Sequence, residues 1–490
     1  MSKAAKLTAM LVTLWLAVAA GAAGEDWTQF RGPGRQNATA ETGWLRDWPE
    51  EGPPLAWTAE VGSGNGTVAV TTDPALPGGG LAYIQGCLRV ADPESAPVGD
   101  LRGQEAGELK GKKASNREML SCVEVSTGKV RWQYELHPQV VISYNSPHAT
   151  PSIHGARVYG HGQLGVLACV HAAGGEEIWR RNLVEDHGTS VKKYGAAGSP
   201  LVTEEIVYVI EGAKAQKAVG VYAFDKDTGS AAWQAVYDIG GQNPHGSPLL
   251  ATVDGRATIL CHLGEAAVGL DPQSGAELWK LDYMEEFPEC KGGRVYSSES
   301  YPMVMPDGLI VDRIWNDVPA AGQENRSAGS FGRTVGFRVR DGKAEVVWQN
   351  TDVSAYFLGN QIWDGHLYCF NNRTTSKAYT WARNRLTCLD LKDGQVRWMS
   401  EDWPLPGVKE AAKKWERNHE PTILVADGVM IINDGLELVV ARCSPEGCEH
   451  LGGFTVRLTA YSSPVLADGR LFVRGGRDLH CYDLRAGAGP

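Results

Sequence analysis

The sequence lacks the motifs that identify several large classes of protein. It contains no Gly-x-Ser-x-Gly nucleophile elbow, no phosphate-binding loop and no Cys-x-x-Cys-His site for attaching haem. Its ten cysteines also lack the short Cys/His spacings of a structural zinc site. Basic residues are fewer than acidic ones, 47 against 58, and the net charge of -11 argues against general nucleic-acid binding, which requires a basic face. The informative part of the sequence is therefore its repeated pattern rather than a catalytic motif.

Long apolar runs are scarce, and the one that stands out extends from Leu7 to about Ala20. Two lysines precede it, and the small residues near Ala22 suit a cleavage site. We predict a signal peptide over residues 1–22, a periplasmic or secreted location, and no transmembrane segment after its removal. The alternative is an uncleaved membrane anchor, although the run is short for a membrane span. No cysteine lies in this region, so we expect no lipid attachment at the cleavage point.

An eleven-residue pattern recurs along the chain: a small residue, a turn of the type Asp-x-x-Thr-Gly, and a final Trp. The copies end at Trp132, Trp179, Trp233, Trp279 and Trp398. Apolar residues at the second and fourth positions suit a strand, the Gly can adopt a positive φ in the turn, and the Trp opens the returning strand. Each copy therefore predicts one β-hairpin.

A second phrase recurs: Ser-Pro or Glu-Pro, then apolar residues and a short turn. It precedes several of these hairpins, and it also precedes the less regular hairpins near the C-terminus. Examples begin at Ser199, Ser247, Glu420 and Ser463. The phrase predicts two more strands, and four strands in about 40–50 residues is the period of a propeller blade. We predict an all-β fold over residues 23–490, a single eight-bladed β-propeller of four-stranded blades.

The last predicted blade is incomplete and is expected to close with a strand from the N-terminal region. The turn of the repeat occurs near Cys481 without a Trp, whereas Trp57 stands in a strand-like segment near 53–61 without the turn. Joining the two completes one hairpin and removes the exposed edges that an open array would leave. Insertions interrupt the first and fifth blades, roughly at 89–118 and 316–333, and the polar composition of the first predicts a surface loop.

The recurring Trp and Cys positions are interpreted as structural. The large rings of the five repeat tryptophans and of Trp57 can cover the neighbouring blade. Four cysteines occupy the small first position of the hairpin, where a buried thiol packs like Ala or Gly; they are Cys122, Cys169, Cys388 and Cys481. Cys443 and Cys448 flank a turn on facing strands and are the best candidates for a disulfide.

Polar residues just before the Ser-Pro phrases predict a ring at one mouth of the central channel. The candidates are Tyr144, Asn145, Lys193, Tyr194, His245, Glu299, Asn360, His419, Glu420 and Tyr461. Such a ring could bind a small anion, a sugar, a quinone or a metal, or it could only satisfy strand ends and bound water. Its His and Glu residues come from different blades, so we predict no metal site. Arg31, in the opening phrase WTQFRGPGR, is expected to anchor a carboxylate on the propeller rim rather than to contact a substrate.

The hairpin repeat resembles the pyrroloquinoline-quinone-type (PQQ-like) propeller repeat, over nearly all of residues 26–487. That family includes eight-bladed quinoprotein alcohol dehydrogenases and non-catalytic BamB-type outer-membrane assembly proteins. The opening WTQFRGPGR and the segment from Asn182 look still more similar to exported quinoprotein-like propellers of environmental bacteria. The dehydrogenases imply adjacent cysteines near the cofactor, a calcium held by acidic and Asn ligands, a catalytic Asp and an aromatic floor. No two cysteines are adjacent in this chain, and no catalytic residue is assigned.

We therefore predict an exported, monomeric propeller that acts as a non-catalytic binding or scaffold protein through its channel mouth and loop face. Its partner is expected to be an envelope protein or a small ligand. The alternative is an oxidoreductase that holds pyrroloquinoline quinone, with or without calcium, in the central funnel. A third interpretation, a polysaccharide-binding protein or lyase, depends only on the polar mouth.

Overall fold

The computed structural model describes residues 25–73, 75–89, 116–140, 147–190, 195–213, 218–239, 245–290, 295–296, 301–316, 333–353, 359–371, 385–400, 421–459 and 461–485. The predicted signal peptide, residues 1–22, lies outside these ranges. Most of the two insertions and seven of the ten predicted mouth residues also lie outside them.

The regular secondary structure of the described chain is almost entirely β-strand. Two strands precede the first blade: β1 (Ala38–Thr39) and β2 (Leu55–Glu60). Blade 1 contains β3 (Ala69–Thr71), β4 (Leu81–Arg89), β5 (Asn116–Glu124) and β6 (Val130–Val140). Blade 2 contains β7 (Ser152–His154), β8 (Arg157–His161), β9 (Val166–His171) and β10 (Glu177–Asn182). Blade 3 contains β11 (Leu201–Val202), β12 (Ile206–Gly212), β13 (Ala218–Asp225) and β14 (Ala231–Asp238). Blade 4 contains β15 (Leu249–Val253), β16 (Arg256–His262), β17 (Ala266–Leu270) and β18 (Glu277–Asp282).

The second half of the ring continues the same order. Blade 5 contains β19 (Val295–Tyr296), β20 (Met303–Val304), β21 (Ile310–Asn316), β22 (Arg333–Arg340) and β23 (Lys343–Asn350). Blade 6 contains β24 (Asn360–Trp363), β25 (His366–Asn371), β26 (Arg385–Asp390) and β27 (Val396–Met399). Blade 7 contains β28 (Thr422–Ala426), β29 (Val429–Asn433), β30 (Glu437–Ser444) and β31 (Gly447–Thr455). Blade 8 contains β32 (Val465–Ala467), β33 (Arg470–Arg474) and β34 (Asp478–Asp483).

Two short helices follow the outer strands of blades 2 and 4. They are α1 (Leu183–His187) and α2 (Tyr283–Glu286), and each begins after an N-cap side chain, Asn182 or Asp282, that accepts two backbone N–H groups. Two 3-10 turns lie at Pro77–Gly79 and Pro288–Cys290. No helix within the described ranges is long and apolar enough to cross a membrane.

The predicted fold class is confirmed: the structure is an eight-bladed β-propeller whose last blade is closed by the N-terminal strand. β2 pairs antiparallel with β34, and Trp57 lies opposite Cys481 in that pairing. Two sheets have five strands instead of the predicted four. β1 adds to blade 7 by running parallel to β28, and β19 adds to blade 5 by pairing with β21. Both additions come from segments outside the repeat, which the repeat pattern could not predict.

The strands of each blade alternate in direction, so the connections between them fall on two opposite faces of the disc. Turns between the first and second strands and between the third and fourth lie on one face, which we call the turn face. The other connections lie on the opposite face, which we call the loop face, and the longest of them follow Arg89, Asn316, Asn371 and Met399. The insertion predicted at 89–118 is shorter than expected, because Asn116–Glu124 is strand and the side chain of Glu118 is fully buried.

The tryptophans of the repeat lie between neighbouring blades. Each of six indole N–H groups donates to a backbone carbonyl in the hairpin turn of the next blade, at 2.7–3.1 Å; the donors are Trp57, Trp132, Trp179, Trp233, Trp348 and Trp398. The ring covers the turn glycine, as Trp179 covers Gly229, whose φ is 67°. Trp279 is the exception, because the turn it faces in blade 5 is the shorter Asp341-Gly342. Its Nε1 has no hydrogen-bond partner among the described residues.

Hydroxyl groups of the Ser-Pro phrases link the innermost strands to one another. The backbone N–H of Thr150 donates to Oγ of Ser199 at 2.9 Å, and the N–H of Ser199 donates to Oγ of Ser247 at 2.7 Å. Thr67 joins the same series, since its N–H donates to Oγ1 of Thr150 and its own hydroxyl donates to the carbonyl of Ser463. These bonds connect blades 8, 1, 2, 3 and 4 around the axis.

All ten cysteines are described. Eight are buried free thiols, including the four at the small position of the hairpin. Cys443 and Cys448 pair directly across β30 and β31, and their sulfur atoms form a disulfide. The cysteine content therefore contributes mainly to packing between strands and blades.

Candidate functional site

Residues 25–39, which we call the axial segment, run through the centre of the ring. The backbone of Trp27 exchanges hydrogen bonds with Val70 of β3, at 2.9 and 2.8 Å. The carbonyl of Thr28 accepts from the N–H of Ile153 in β7 at 2.7 Å. After a tight turn the segment returns as β1, parallel to β28. The backbone of the segment therefore contacts the inner strands of blades 1, 2 and 7, and the side chains of Asp26 and Asn37 add hydrogen bonds to blades 1 and 7.

The tip of the axial segment is a compact turn. Gly32 has φ 79°, and a Cβ there would lie 2.9 Å from the ring of Trp27, so only glycine fits without a shift. The N–H of Asn37 closes the turn by donating to the carbonyl of Arg31 at 2.7 Å. Three residues other than glycine also have positive φ, namely Arg31, Arg35 and Asn37. Such backbone conformations persist only where surrounding contacts hold them.

The guanidinium of Arg35 joins the tip to two more blades. Nη1 donates to the carbonyl of Pro248 at 2.8 Å, Nη2 donates to the carbonyl of Pro200 at 2.5 Å, and Nε donates to Oε1 of Gln29 at 2.9 Å. The side chain is buried, and this burial lowers the pKa of Arg35 to about 9. That value is still above neutral pH, so Arg35 remains a cation in contact with neutral acceptors.

Arg31 lies at the axis and not on the rim, so the predicted rim carboxylate contact is wrong. Its side chain is buried, Nη2 donates to the carbonyl of Asn360 at 3.1 Å, and the guanidinium lies 5.7 Å from the ring centroid of Tyr301. Burial lowers the pKa of Arg31 to about 10. The prediction failed because WTQFRGPGR lies outside the repeat, and its partners are backbone carbonyls far away in the sequence.

A small cavity surrounds the tip of the axial segment. Its volume is ≈ 10 Å³, which is room for about one water molecule. Six of its lining residues are Arg31, Asn37, Thr67, His148, Tyr301 and Tyr461. The ring of Phe30 packs on Tyr301 at a centroid distance of 4.8 Å and limits the space.

Three of the ten predicted mouth residues are described, and all three lie around the axial segment. Asn360 supplies the carbonyl that Arg31 contacts, and Tyr461 lines the cavity. The carbonyl of His245 accepts from the hydroxyl of Tyr301 at 3.3 Å. The other seven lie outside the described residues: Tyr144, Asn145, Lys193, Tyr194, Glu299, His419 and Glu420. No group of His, Cys, Asp or Glu in the described part of the chain is arranged to hold a metal ion.

A quinone does not fit this axial cavity. Sites for small organic ligands and cofactors commonly have volumes of about 300–1,000 Å³, far more than the space left around the tip. The side chains of Phe30 and Arg31 are among the residues that line this small space. The described residues therefore form a closed centre and not an open funnel.

The sequence analysis did not predict the buried titratable residues that lie between blades. Nε2 of His161 lies 2.8 Å from Oε1 of Glu211, and both side chains are almost fully buried. Nearby, both carboxylate oxygens of Glu118 accept the N–H of Gln163, at 3.0 and 3.1 Å, and burial raises the pKa of Glu118 to about 7.

A second buried pair lies between blades 4 and 5. Nδ1 of His262 lies 2.8 Å from Oδ2 of Asp312, which also accepts from the hydroxyl of Tyr283. Both pairs are enclosed by neighbouring blades, and we interpret them as connections between sheets.

Comparison with known proteins identifies the family. The sequence profile described as "Outer membrane protein assembly factor BamB" matches residues 116–400, more than half of the chain. The chain belongs to this family. The resemblance predicted from the hairpin repeat is thereby confirmed.

Two curated relatives carry the same name, outer membrane protein assembly factor BamB. The one from Moranella endobia (strain PCIT) is 21% identical over 266 residues, which cover 51% of this chain and 66% of the relative. The one from Yersinia pestis is 26% identical over 266 residues, which cover 52% of this chain and 56% of the relative. The match thus spans less than two thirds of the length of either relative.

Solved structures share the fold at low sequence identity. The quinohemoprotein alcohol dehydrogenase from Comamonas testosteroni superposes with a TM-score of 0.60 at 13% identity, covering 95% of this chain and 81% of that one. A quinohemoprotein alcohol dehydrogenase from Pseudomonas putida HK5 gives 0.58 at 11% identity with the same coverage. At these identities the similarity establishes the propeller architecture alone.

Proposed function

We propose that this BamB-family chain is a non-catalytic scaffold of the cell envelope that binds a partner protein on its loop face. The observation that carries the proposal is the axial segment, which fills the centre of the ring with the chain's own residues. Arg31 and Arg35 contact carbonyls of blades 3, 4 and 6 there. With the centre closed, binding is left to the outer surfaces of the disc.

The loop face is the better candidate of the two faces. Turns on the turn face are short, such as Asp254-Gly255 and Asp341-Gly342. The longest connections all leave from the loop face, and connecting segments carried on a rigid scaffold commonly form binding surfaces. The names of the curated relatives refer to outer-membrane protein assembly, which supports an envelope protein as the partner.

The location follows from the same proposal. Residues 1–22 have the composition of an export signal, and the family is named for a process at the outer membrane. We propose that the mature propeller works in the periplasm as a monomer that a partner engages. The quinone-dependent alternative is supported by the propeller fold shared with quinohemoprotein alcohol dehydrogenases. It is opposed by the axial cavity, whose volume of ≈ 10 Å³ is too small for the cofactor.

Site-specific photo-crosslinking tests the partner surface. A benzoylphenylalanine residue would replace Arg89 or Arg117, exposed residues of β4 and β5 near the loop face, in the exported full-length protein. Matched control positions are Asp254 and Asp341, exposed residues of turns on the turn face. We expect a discrete adduct with one envelope protein from the loop-face positions and none from the controls. Adducts from the turn face alone would contradict the proposal.

A quinone titration tests the alternative separately. Pyrroloquinoline quinone would be titrated calorimetrically into the mature protein with and without calcium. We expect no binding heat at high protein concentration. Saturable binding that is weakened by His245→Ala, at one of the described mouth residues, would overturn the non-catalytic proposal and would require an alcohol and sugar oxidation screen.

A further inference from the structure

The tip of the axial segment places two buried cations side by side in the ring. The exposed fractions of Arg31 and Arg35 are 3% and 7%. Their hydrogen bonds go to the carbonyls of Asn360, Pro200 and Pro248 and to the amide of Gln29, all of which are neutral. Within the described ranges, neither guanidinium forms an ion pair with a carboxylate. Among the described residues, these two guanidinium groups therefore carry positive charge that no carboxylate offsets through an ion pair.

A third buried guanidinium lies near Arg31. The side chain of Arg313 is 1% exposed and lies close enough to repel Arg31 electrostatically. A buried charge without a counter-charge is unfavourable, because protein atoms replace water poorly as a solvent for ions. Hydrogen bonds to carbonyls and the ring of Tyr301 reduce this cost without neutralising the charge.

One donor of Arg31 has no hydrogen-bond partner in the described part of the chain. It is Nη1, and the same side chain lines the ≈ 10 Å³ cavity. Hydroxyl and amide groups from Thr150, Tyr301 and Asn65 line the cavity too, and the described lining includes no carboxylate. A buried donor of this kind needs an acceptor, and an acceptor with negative charge would also offset the positive charge of Arg31 and Arg35.

We propose that one small monovalent anion of the size of chloride binds in this cavity beside Arg31. The volume restricts the ligand, because room for about one water molecule excludes sulfate, phosphate and organic carboxylates. The competing occupant is a single water that bridges Nη1 of Arg31 and Oδ1 of Asn37, which also has no described partner. A water would satisfy both atoms and would leave the charge uncompensated. The anion site does not depend on the proposed scaffold function.

A bromide soak distinguishes a bound anion from a bound water in the wild-type protein. Crystals of the mature protein grown without halide would be soaked in sodium bromide, and anomalous scattering would be measured at the bromine edge. We expect a peak between Arg31, Asn37 and His148. A cavity without an anomalous peak, or peaks on the outer surface alone, would overturn the proposal in favour of water. This arm needs no variant and stands even if substitutions at Arg31 prevent folding.

Thermal unfolding provides the second arm and uses a matched variant. Sodium chloride would replace sodium gluconate at constant ionic strength, since gluconate is too large for the cavity. We expect a saturable rise in the unfolding temperature of about 2 °C for the wild type, and none for Arg31→Gln. Arg477→Gln, at an exposed arginine paired with Glu60, should keep the wild-type response. An equal rise in unfolding temperature for Arg31→Gln and Arg477→Gln would show that chloride acts as a general salt and would contradict an anion site beside Arg31.

Discussion

Nη2 of Arg35 donates to the carbonyl oxygen of Pro200 across 165 positions of sequence, at 2.5 Å. The contact joins a segment outside the repeat to the inner strand of blade 3. With the neighbouring bond from Nη1 to Pro248, it makes the axial segment part of the ring and not a loose extension. The same arginine thus links the axial segment to the inner strands of blades 3 and 4.

Arg35→Ala should destabilise the whole propeller. The substitution leaves the buried carbonyl of Pro248 without its donor and removes one of the two donors to the carbonyl of Pro200, which Ser152 also contacts. We expect a loss of about 2–4 kcal/mol in the free energy of unfolding. Chemical denaturation followed by tryptophan fluorescence measures it. Arg477→Ala, at an exposed ion pair, is the control and should change stability by about 0.5 kcal/mol or less. Equal effects from both substitutions would show that the axial contacts do not stabilise the ring.

Gly229→Ala should cost more than Gly255→Ala, although both glycines have nearly the same φ, 67° and 70°. Both alanines would be forced into the left-handed region at about 1–2 kcal/mol. At Gly229 the new Cβ would also lie 2.6 Å from the ring of Trp179, whereas nothing lies within 4 Å at Gly255. We expect a further loss of about 1–3 kcal/mol from overpacking. Equilibrium unfolding of both variants measures the difference, and equal losses would refute the role of the inter-blade ring contact.

Trp348→Phe should destabilise more than Trp279→Phe. The indole N–H of Trp348 donates to the carbonyl of Leu391 at 2.9 Å, whereas Nε1 of Trp279 has no acceptor among the described residues. Both rings are buried, so the loss of ring area is similar in the two variants. The expected difference is about 1 kcal/mol in the free energy of unfolding. A larger loss for Trp279→Phe would contradict the assigned hydrogen bonds.

Stability should fall as pH rises from about 5 to 8, and Glu118 should cause part of that fall. Because burial raises the pKa of Glu118 from 4.5 to about 7, the folded state binds the proton more tightly than the unfolded state. Stability is therefore highest while Glu118 is protonated and decreases as pH rises through that window, by on the order of 3 kcal/mol in total. Burial alone would lower the pKa of His161, but the neighbouring Glu211 raises it, which gives a loss in the same direction above pH 6.5.

Glu118→Gln removes the lower part of this dependence. Denaturation at pH 5, 6, 7 and 8 should give a flatter profile below pH 7 than in the wild type. Glu60→Gln, at an exposed carboxyl, serves as the control and should keep the wild-type slope. A slope that Glu118→Gln leaves unchanged would show that another group causes the dependence.

The ring architecture was predictable because its signals are local. A turn glycine with positive φ, such as Gly229, and a Trp four residues later, such as Trp233, identify a hairpin wherever they recur. The closing strand was predictable for the same reason, since Trp57 and Cys481 are the two missing halves of one repeat. The Ser-Pro phrases likewise identified the inner strands, and the described mouth residues lie around the axis.

The candidate site was predictable only in part. The sequence located His245, Asn360 and Tyr461 near the axis, but it did not show that Phe30 and Arg31 occupy the space between them. Nothing in a polar segment such as WTQFRGPGR distinguishes a rim anchor from an axial tip. Glu118 was likewise placed in a surface loop, although the structure buries it beside Gln163.

The sequence by itself determined the number of blades and their hairpins, because each depends on side-chain patterns within about 50 residues. It also determined the closure of the ring, because Trp57 and Cys481 each carry one half of the same repeat. Only the tertiary structure decided what lies in the centre. Arg31 and Arg35 contact backbone carbonyls of Asn360, Pro200 and Pro248. Every residue has a backbone carbonyl, so the sequence does not show which carbonyl groups accept these hydrogen bonds. The closed axis and its buried charge follow from how the ring brings distant inner strands together.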